Sequence, residues 1–295
     1  MKYRIILFIF LVNLIPTTLS AQEIVKDTTA KKDTTVGQKL KALVQYVIKD
    51  TTPRKETPKD SIIENEYAGK VYSFRQFEHE TFLFAESPVK LHSKDWIRIG
   101  LVIVITSATI PFDQYISTVT QGNQSNYYTV PVILGRIYGS WYFNLAVVGG
   151  SVGYTIYTHN TEAKKVDIEL IQAGLYSELI TQSLKFGLGR SSPYNNRGVF
   201  NFHPFKFQKG FESMPNGSAT SAFALSTISF RHANNTVFKI LAFVPAAFTL
   251  FSGIYQNTHW ASDEVLGSAI GFATGMWVVT LHEGKRHKIN LTPVK

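Results

Sequence analysis

Between residues 259 and 275 the chain reads His259-Trp260-Ala261-Ser262-Asp263 and then places glycine at 267, 271 and 275. Residues four apart share one face of an α-helix. A face that presents glycine at every turn lets a second helix approach to backbone distance. This pattern constrains the chain to a tightly packed helical bundle. It also predicts that His259 stands one helical turn before Asp263. A carboxylate so placed can fix the tautomer of an imidazole and raise its basicity, as a nucleophilic or proton-transferring histidine requires.

The remaining apolar periodicity is helical too. Ser93 or Asp95 is positioned to cap a helix from Trp96 to Ile110 that Pro111 ends. A second apolar stretch, Val130 to Tyr157, reads as two helices broken near Gly149-Gly150. Asn160 or Thr161 opens a third, amphipathic helix carrying Val166, Leu170, Ile171, Leu175 and Leu184. Ser218 to Phe230, Val237 to Tyr255 and Ser262 to Leu281 complete about six helices. Long strands with two-residue alternation are absent from the pattern, so the fold class is all-α. Charged residues make up 17% of the chain and hydrophobic residues 44%. About a quarter charged is usual for soluble domains, so either a large buried core or a membrane-embedded one is expected. Several segments approach the ~20 apolar residues that a bilayer span needs.

Ahead of the bundle, residues 1–21 read as a secretory signal. Lys2 and Arg4 precede the apolar run Ile5 to Ile15, and Leu19-Ser20-Ala21 offers a small-residue cleavage site. Residues 22–60 are a polar linker in which Lys-Asp-Thr-Thr occurs at Lys26, Lys32 and Lys49. Within it, Leu40, Leu43, Val44, Val47 and Ile48 form one face of a short basic amphipathic helix. Residues 61–92 are a lead-in rich in aromatics, 93–282 the helical domain, and 283–295 a basic tail. The formal charge of +9 suits anionic partners such as phosphorylated lipids or small phosphate esters. Export and the lack of a basic-aromatic motif argue against nucleic acid. There is no cysteine, and no His or Asp cluster has zinc-ligand spacing, so no metal is expected. His232, His282 and His287 lie beside basic neighbours and read as surface residues.

Three segments follow in order: Lys185-Phe-Gly-Leu-Gly-Arg190-Ser-Ser-Pro193; Ser213-Met-Pro-Asn216-Gly217-Ser218; and Ser252-Gly253, five residues, His259, three residues, Asp263. Their order and spacing resemble the type 2 phosphatidic acid phosphatase and vanadium haloperoxidase superfamily, over about residues 93–282. The resemblance implies a helical bundle with a phosphatase site outside the cytoplasm, in or against a membrane. It implies that His259 is the nucleophile that forms a phosphohistidine, that Asp263 orients it, and that Lys185 binds phosphate. Gly217 would contact the phosphate through its N–H, at a helix N-terminus that favours an anion.

The sequence departs from that pattern at four positions. Ser192 and Gly253 stand where the family has arginines, and Asn216 and Ser218 replace the serine and histidine of the second motif. Each lost charge-assisted hydrogen bond costs about 1.5–3 kcal/mol, and a lost general acid about 10²–10⁴-fold in rate. Arg190 is the foremost candidate to compensate, with Arg197, His203, Lys206 and Lys209 on the following loop. Asn216 and Ser218 retain hydrogen-bonding capacity toward phosphate. Two functions are therefore expected. One is a phosphatase acting on lipid or other phosphate monoesters, and the other is an inactive relative that binds anions or serves the cell envelope structurally. No cofactor is expected, because a vanadate-dependent peroxidase would need the same missing arginines.

Overall fold

The computed structural model describes residues 74–205 and 209–289. Residues 1–73, with the expected signal sequence, polar linker and amphipathic segment, lie outside them, as do Lys206 and residues 290–295. Among the described residues there are nine α-helices and no strand. They are α1 (Phe74–Glu86), α2 (Ser93–Gly122), α3 (Thr129–Tyr138), α4 (Trp141–Thr158), α5 (Thr161–Leu188), α6 (Gly217–His232), α7 (Thr236–Leu241), α8 (Val244–Tyr255) and α9 (Ala261–Ile289).

Helices α5, α6 and α9 form the centre, and the glycine series explains how. A methyl group on Gly267 would stand 2.4 Å from the Asn216 carbonyl oxygen, and one on Gly271 2.2 Å from that of Thr220. At Gly275 it would meet the Thr227 Cβ at 2.8 Å. The backbone of α9 thus lies directly on α6. Around this seam Val166, Leu170, Tyr176, Leu225, Ile228, Val278 and Val279 are buried. Phe84 of α1 stacks on Tyr176 with ring centroids 4.2 Å apart. The lead-in segment is therefore built into the bundle through α1.

Several boundaries differ from those the sequence predicts. Pro111 lies inside α2, which runs on to Gly122. The turn after the proline holds Asp113, which is bound to other elements, so tertiary contacts carry the helix through the missing hydrogen bond. His92 is the N-cap of α2, and its N–H donates to the Asp95 carboxylate at 3.1 Å, which completes a capping box. The break between α3 and α4 falls at Gly139-Ser140 rather than Gly149-Gly150. Ser140 caps α4, and a side chain at Gly139 would meet Thr249 Cγ2 at 2.4 Å. The stretch Val237 to Tyr255 is two helices, because Pro245 opens a new first turn in α8. Asn160 caps α5 as expected, accepting from Glu162 N–H at 3.0 Å.

Away from the centre the surface is apolar. Ile103, Val104, Phe112 and Val119 on α2, and Val237 and Ile240 on α7, are exposed. Three stretches, Ser93–Gly122, Thr236–Tyr255 and Ala261–Glu283, are long and apolar enough to cross a membrane.

At the end of the bundle where α1 docks, a polar cluster is buried. The two ring nitrogens of His282 face Glu80 at 3.1 Å and Glu169 at 3.2 Å. His232 bonds Glu169 at 2.5 Å and Lys165 pairs with it at 3.6 Å. The surface placement expected of His282 and His232 is thus corrected. Buried carboxylates from α1 and α5 supply the acceptors that draw their rings inward.

The glycines separate into two classes by this packing. Gly271→Ala forces a methyl group into the α6 backbone and is expected to destabilise by about 1–3 kcal/mol. Gly149→Ala meets nothing within 4 Å and is expected to stabilise by about 0.5–1 kcal/mol. Thermal unfolding in detergent reads both.

Candidate active site

The N-terminus of α6 is the floor of the site. Asn216 is its N-cap, with side-chain oxygen accepting from Ser218 N–H at 2.9 Å. Its Nδ2 donates to both oxygens of Glu264, each at 2.8 Å. Gly217 opens the helix, and a Cβ there would lie 3.6 Å from the Lys185 ammonium. Lys185 stands on the last turn of α5. No described carboxylate lies within 4 Å of that ammonium. Glu178, Glu212 and Asp263 act on this cation from farther away, and it faces the positive end of a helix.

His259 reaches the same place from the loop between α8 and α9, not from a helix as the spacing predicted. Its N–H donates to the Gly253 carbonyl at 3.3 Å. Its Nδ1 lies 2.8 Å from the Ser213 carbonyl oxygen and 4.0 Å from Asp263 Oδ2. A carbonyl can only accept, so Nδ1 carries the proton and Nε2 keeps its lone pair. Asp263, expected to orient the imidazole, accepts no direct hydrogen bond from it. Asp263 acts one residue removed, accepting from the Ser213 hydroxyl at 2.5 Å and from Trp260 N–H at 2.9 Å. Burial holds His259 down at a pKa of about 4, and the Lys185 charge adds to this; the Ser213 hydrogen bond opposes both.

Arg190 does not occupy the role expected of it. Its guanidinium is 1% exposed. Nη1 donates to Asp263 and to Ser262 Oγ, each at 2.6 Å. Nη2 donates to Asp113 at 2.7 Å and to the Val199 carbonyl at 2.8 Å, and Nε to that carbonyl at 3.1 Å. All five N–H donors of an arginine are thereby used. Phe202 and Trp260 lie 5.4 and 5.6 Å from the guanidinium carbon. Arg190 is a structural ion, not a phosphate clamp. Asn216 is likewise committed to its cap and to Glu264. Ser218 is exposed on the first turn of α6. Of the loop candidates, Arg197 lies over Phe211 at 5.1 Å, His203 meets the same ring edge-on at 4.8 Å, and Lys209 is exposed.

Two residues of this region were missed by sequence reasoning. Asp113 could have been found as the one charge between Ile99 and Gly122. Glu264 is 2% exposed and gave no signal beyond its position after Asp263. A Cβ at Gly253 would stand 2.0 Å from Glu264 Oε1 and 3.2 Å from Asn216 Nδ2. Gly253, Asn216 and Glu264 are therefore one interlocked unit. No group of three or more His, Cys, Asp or Glu among the described residues could hold a metal ion.

Comparison with known proteins places this fold in a family. The model of the PAP2 superfamily matches residues 169–287. These residues form a PAP2 domain. A lipid A 1-phosphatase of Rhizobium etli is 30% identical over 137 residues, which cover 41% of this chain and 55% of the relative. A lipid A 1-phosphatase of Rhizobium johnstonii is also 30% identical, with 52% of it covered. The chain thus spans about half the length of the curated relatives it matches. A transmembrane PAP2-type phosphatidylglycerolphosphate phosphatase from Bacillus subtilis superposes with a TM-score of 0.50 at 17% identity, over 67% of this chain and 97% of that one. The all-α PAP2 fold is shared. The PAP2 domain contains Lys185, Gly217, His259 and Asp263, whereas Asp113 lies before it.

Two outcomes follow from the site. Gly253→Arg alone collides with Glu264 and is expected to lower the folded yield. Combined with Glu264→Ala it is expected to restore folding and tighten phosphate binding about 10–100-fold, as one charge-assisted hydrogen bond would. Isothermal calorimetry with inorganic phosphate measures this. His259 is expected to stay neutral down to about pH 4. Between the ordinary histidine value of about 6.5 and that point, only the unfolded chain takes up this proton, so stability falls as pH falls. Lys185→Met removes the like charge and is expected to move the imidazole titration upward in NMR.

Proposed function

We propose that this PAP2 chain is a phosphatase for phosphate esters at a membrane, working through a phosphohistidine. The observation that supports it is the convergence of three groups. The Lys185 ammonium, with no described carboxylate within 4 Å, and the α6 N-terminus offer charge and N–H groups to a phosphoryl group. His259, with Nδ1–H held by the Ser213 carbonyl and Lys185 near enough to act on its charge, keeps Nε2 unprotonated. Attack by Nε2 on phosphorus forms the phosphohistidine and expels the leaving oxygen. Water then hydrolyses that bond and returns the free imidazole and phosphate.

Phosphorylated lipids are the proposed substrate class. Support comes from the apolar belt, the three helices able to cross a membrane, and relatives named for lipid A and for phosphatidylglycerolphosphate. Export is proposed on the basic and apolar leader of residues 1–21. The inactive, anion-binding reading rests on a specific observation, that Arg190 is consumed by protein acceptors and leaves Lys185 as the cation at the site.

Ser218 stands where the family's proton-donating histidine is expected, and a hydroxyl supplies no acidic proton near neutral pH. Turnover is therefore expected to depend steeply on the leaving group. An aryl phosphate should be cleaved about 10²–10⁴-fold faster than an alkyl phosphate, and His259→Ala should abolish both. Phosphate release by wild type and His259→Ala reads this. Equal release from the two proteins selects the anion-binding reading instead.

A further inference from the structure

We infer that Asp113 on α2 is a positioning residue for His259, and that α2 supplies a wall of the site from outside the PAP2 domain. The inference rests on the phosphatase reading of His259. Asp113, Ser117 and Gln121 recur every fourth residue and so share one face of α2. All three hold the segment that carries His259. Asp113 accepts from the Ser262 N–H at 2.9 Å, from the Ser262 hydroxyl at 2.5 Å and from Arg190 at 2.7 Å. Ser117 donates to Asn257 Oδ1 at 3.1 Å. Gln121 donates to the carbonyls of Ile254 and Tyr255 at 3.3 and 3.1 Å. Residues 254–262, with His259 among them, are thus gripped at both ends by one helix.

Between Ile99 and Gly122, α2 carries no charged residue besides Asp113, and much of its apolar surface is exposed, as in a membrane-facing helix. A carboxylate in such a stretch, fully buried against a guanidinium, is costly to place and marks function. Its route to the nucleophile is short. Asp113 fixes Arg190, Arg190 fixes Asp263, and both hold Ser213: its N–H donates to the Arg190 carbonyl at 3.1 Å and its hydroxyl to Asp263. Ser213 in turn presents the carbonyl that sets the His259 tautomer. None of these contacts involves Lys185 or the N–H groups of Gly217, so Asp113 governs nucleophile geometry and not phosphate affinity.

The test is steady-state hydrolysis of an aryl phosphate by the full chain in detergent, per folded protein, for wild type, Asp113→Asn, Asp113→Glu and Gln121→Ala. Misplacing a reacting group by about 1 Å costs on the order of 10²-fold. Asp113→Asn is expected to lower kcat about 10–100-fold with KM unchanged within about twofold. Asp113→Glu should recover part of kcat, and Gln121→Ala should lower kcat a few-fold at unchanged KM. Unchanged kcat in Asp113→Asn, or a rise in KM that accounts for the loss, overturns the inference. If Asp113→Asn does not fold, Gln121→Ala decides, and unchanged kcat there overturns it. Wild-type turnover that His259→Ala does not reduce overturns the phosphatase reading and this inference with it. A His259-dependent wild type with unaffected α2 variants overturns this inference alone.

Discussion

A buried guanidinium needs acceptors for all its protons. Arg190 finds them on three separate parts of the chain: Asp113 of α2, Ser262 and Asp263 of α9, and the Val199 carbonyl of the intervening loop. Breaking a buried pair of this kind strands a charge, at a cost of about 3–5 kcal/mol. The arrangement therefore holds its members in one geometry. Ser213 is caught in it through both its N–H and its hydroxyl, and His259 hangs on the Ser213 carbonyl. The orientation of the His259 ring is inherited from an ion cluster that the imidazole itself does not touch within hydrogen-bonding distance.

This dependence bears on the four departures from the family pattern. Random loss would leave holes or unpaired groups. Here Asn216, Gly253 and Glu264 fit one another: the asparagine amide serves both carboxylate oxygens, and the missing side chain at 253 makes room for Oε1. An arginine at 253 could not coexist with Glu264 where it stands. The replacements thus form a second solution to packing beneath the α6 N-terminus. They leave the Lys185 ammonium, the Gly217 turn and the His259 ring in place above it. Among the described residues, Arg190 is committed to protein acceptors, and Ser218 offers a hydroxyl where the family pattern has a histidine.

The sequence made the scaffold legible because its signals were local and periodic. Glycines 267, 271 and 275 announced a seam at backbone distance, and Asn160 announced the start of α5. Lys185, Gly217 and His259 were legible through spacing along the chain. The wiring among them was not. Arg190 lies only two residues from a position where the family has a phosphate-binding arginine, and nothing local distinguishes a guanidinium that faces ligand from one that faces Asp113, 77 residues earlier. Asp263 looked like the orienting partner of His259 because both were assumed to lie on a helix. In the structure α9 begins at Ala261, so the ring leaves the chain at a different angle and meets a carbonyl instead. His282 failed for the same reason as Arg190, since its partners are 113 and 202 residues away.

Helices α5 and α9 each thread two buried charge clusters. Glu169 and Lys185 are separated by about 24 Å along α5 at 1.5 Å per residue, and His282 and Asp263 by a similar span along α9. At the α1 end His282 has a carboxylate for each ring nitrogen, and Lys165 and the His232 ring both reach Glu169. Charges there are matched by neighbours. At the other end the matching is incomplete in one respect. Arg190 is satisfied by Asp113 and Asp263, while the Lys185 ammonium has no described carboxylate within 4 Å. The two clusters therefore divide the ends of the bundle, one joining α1 to α5 and α9 and the other joining α2 to α9 through Arg190.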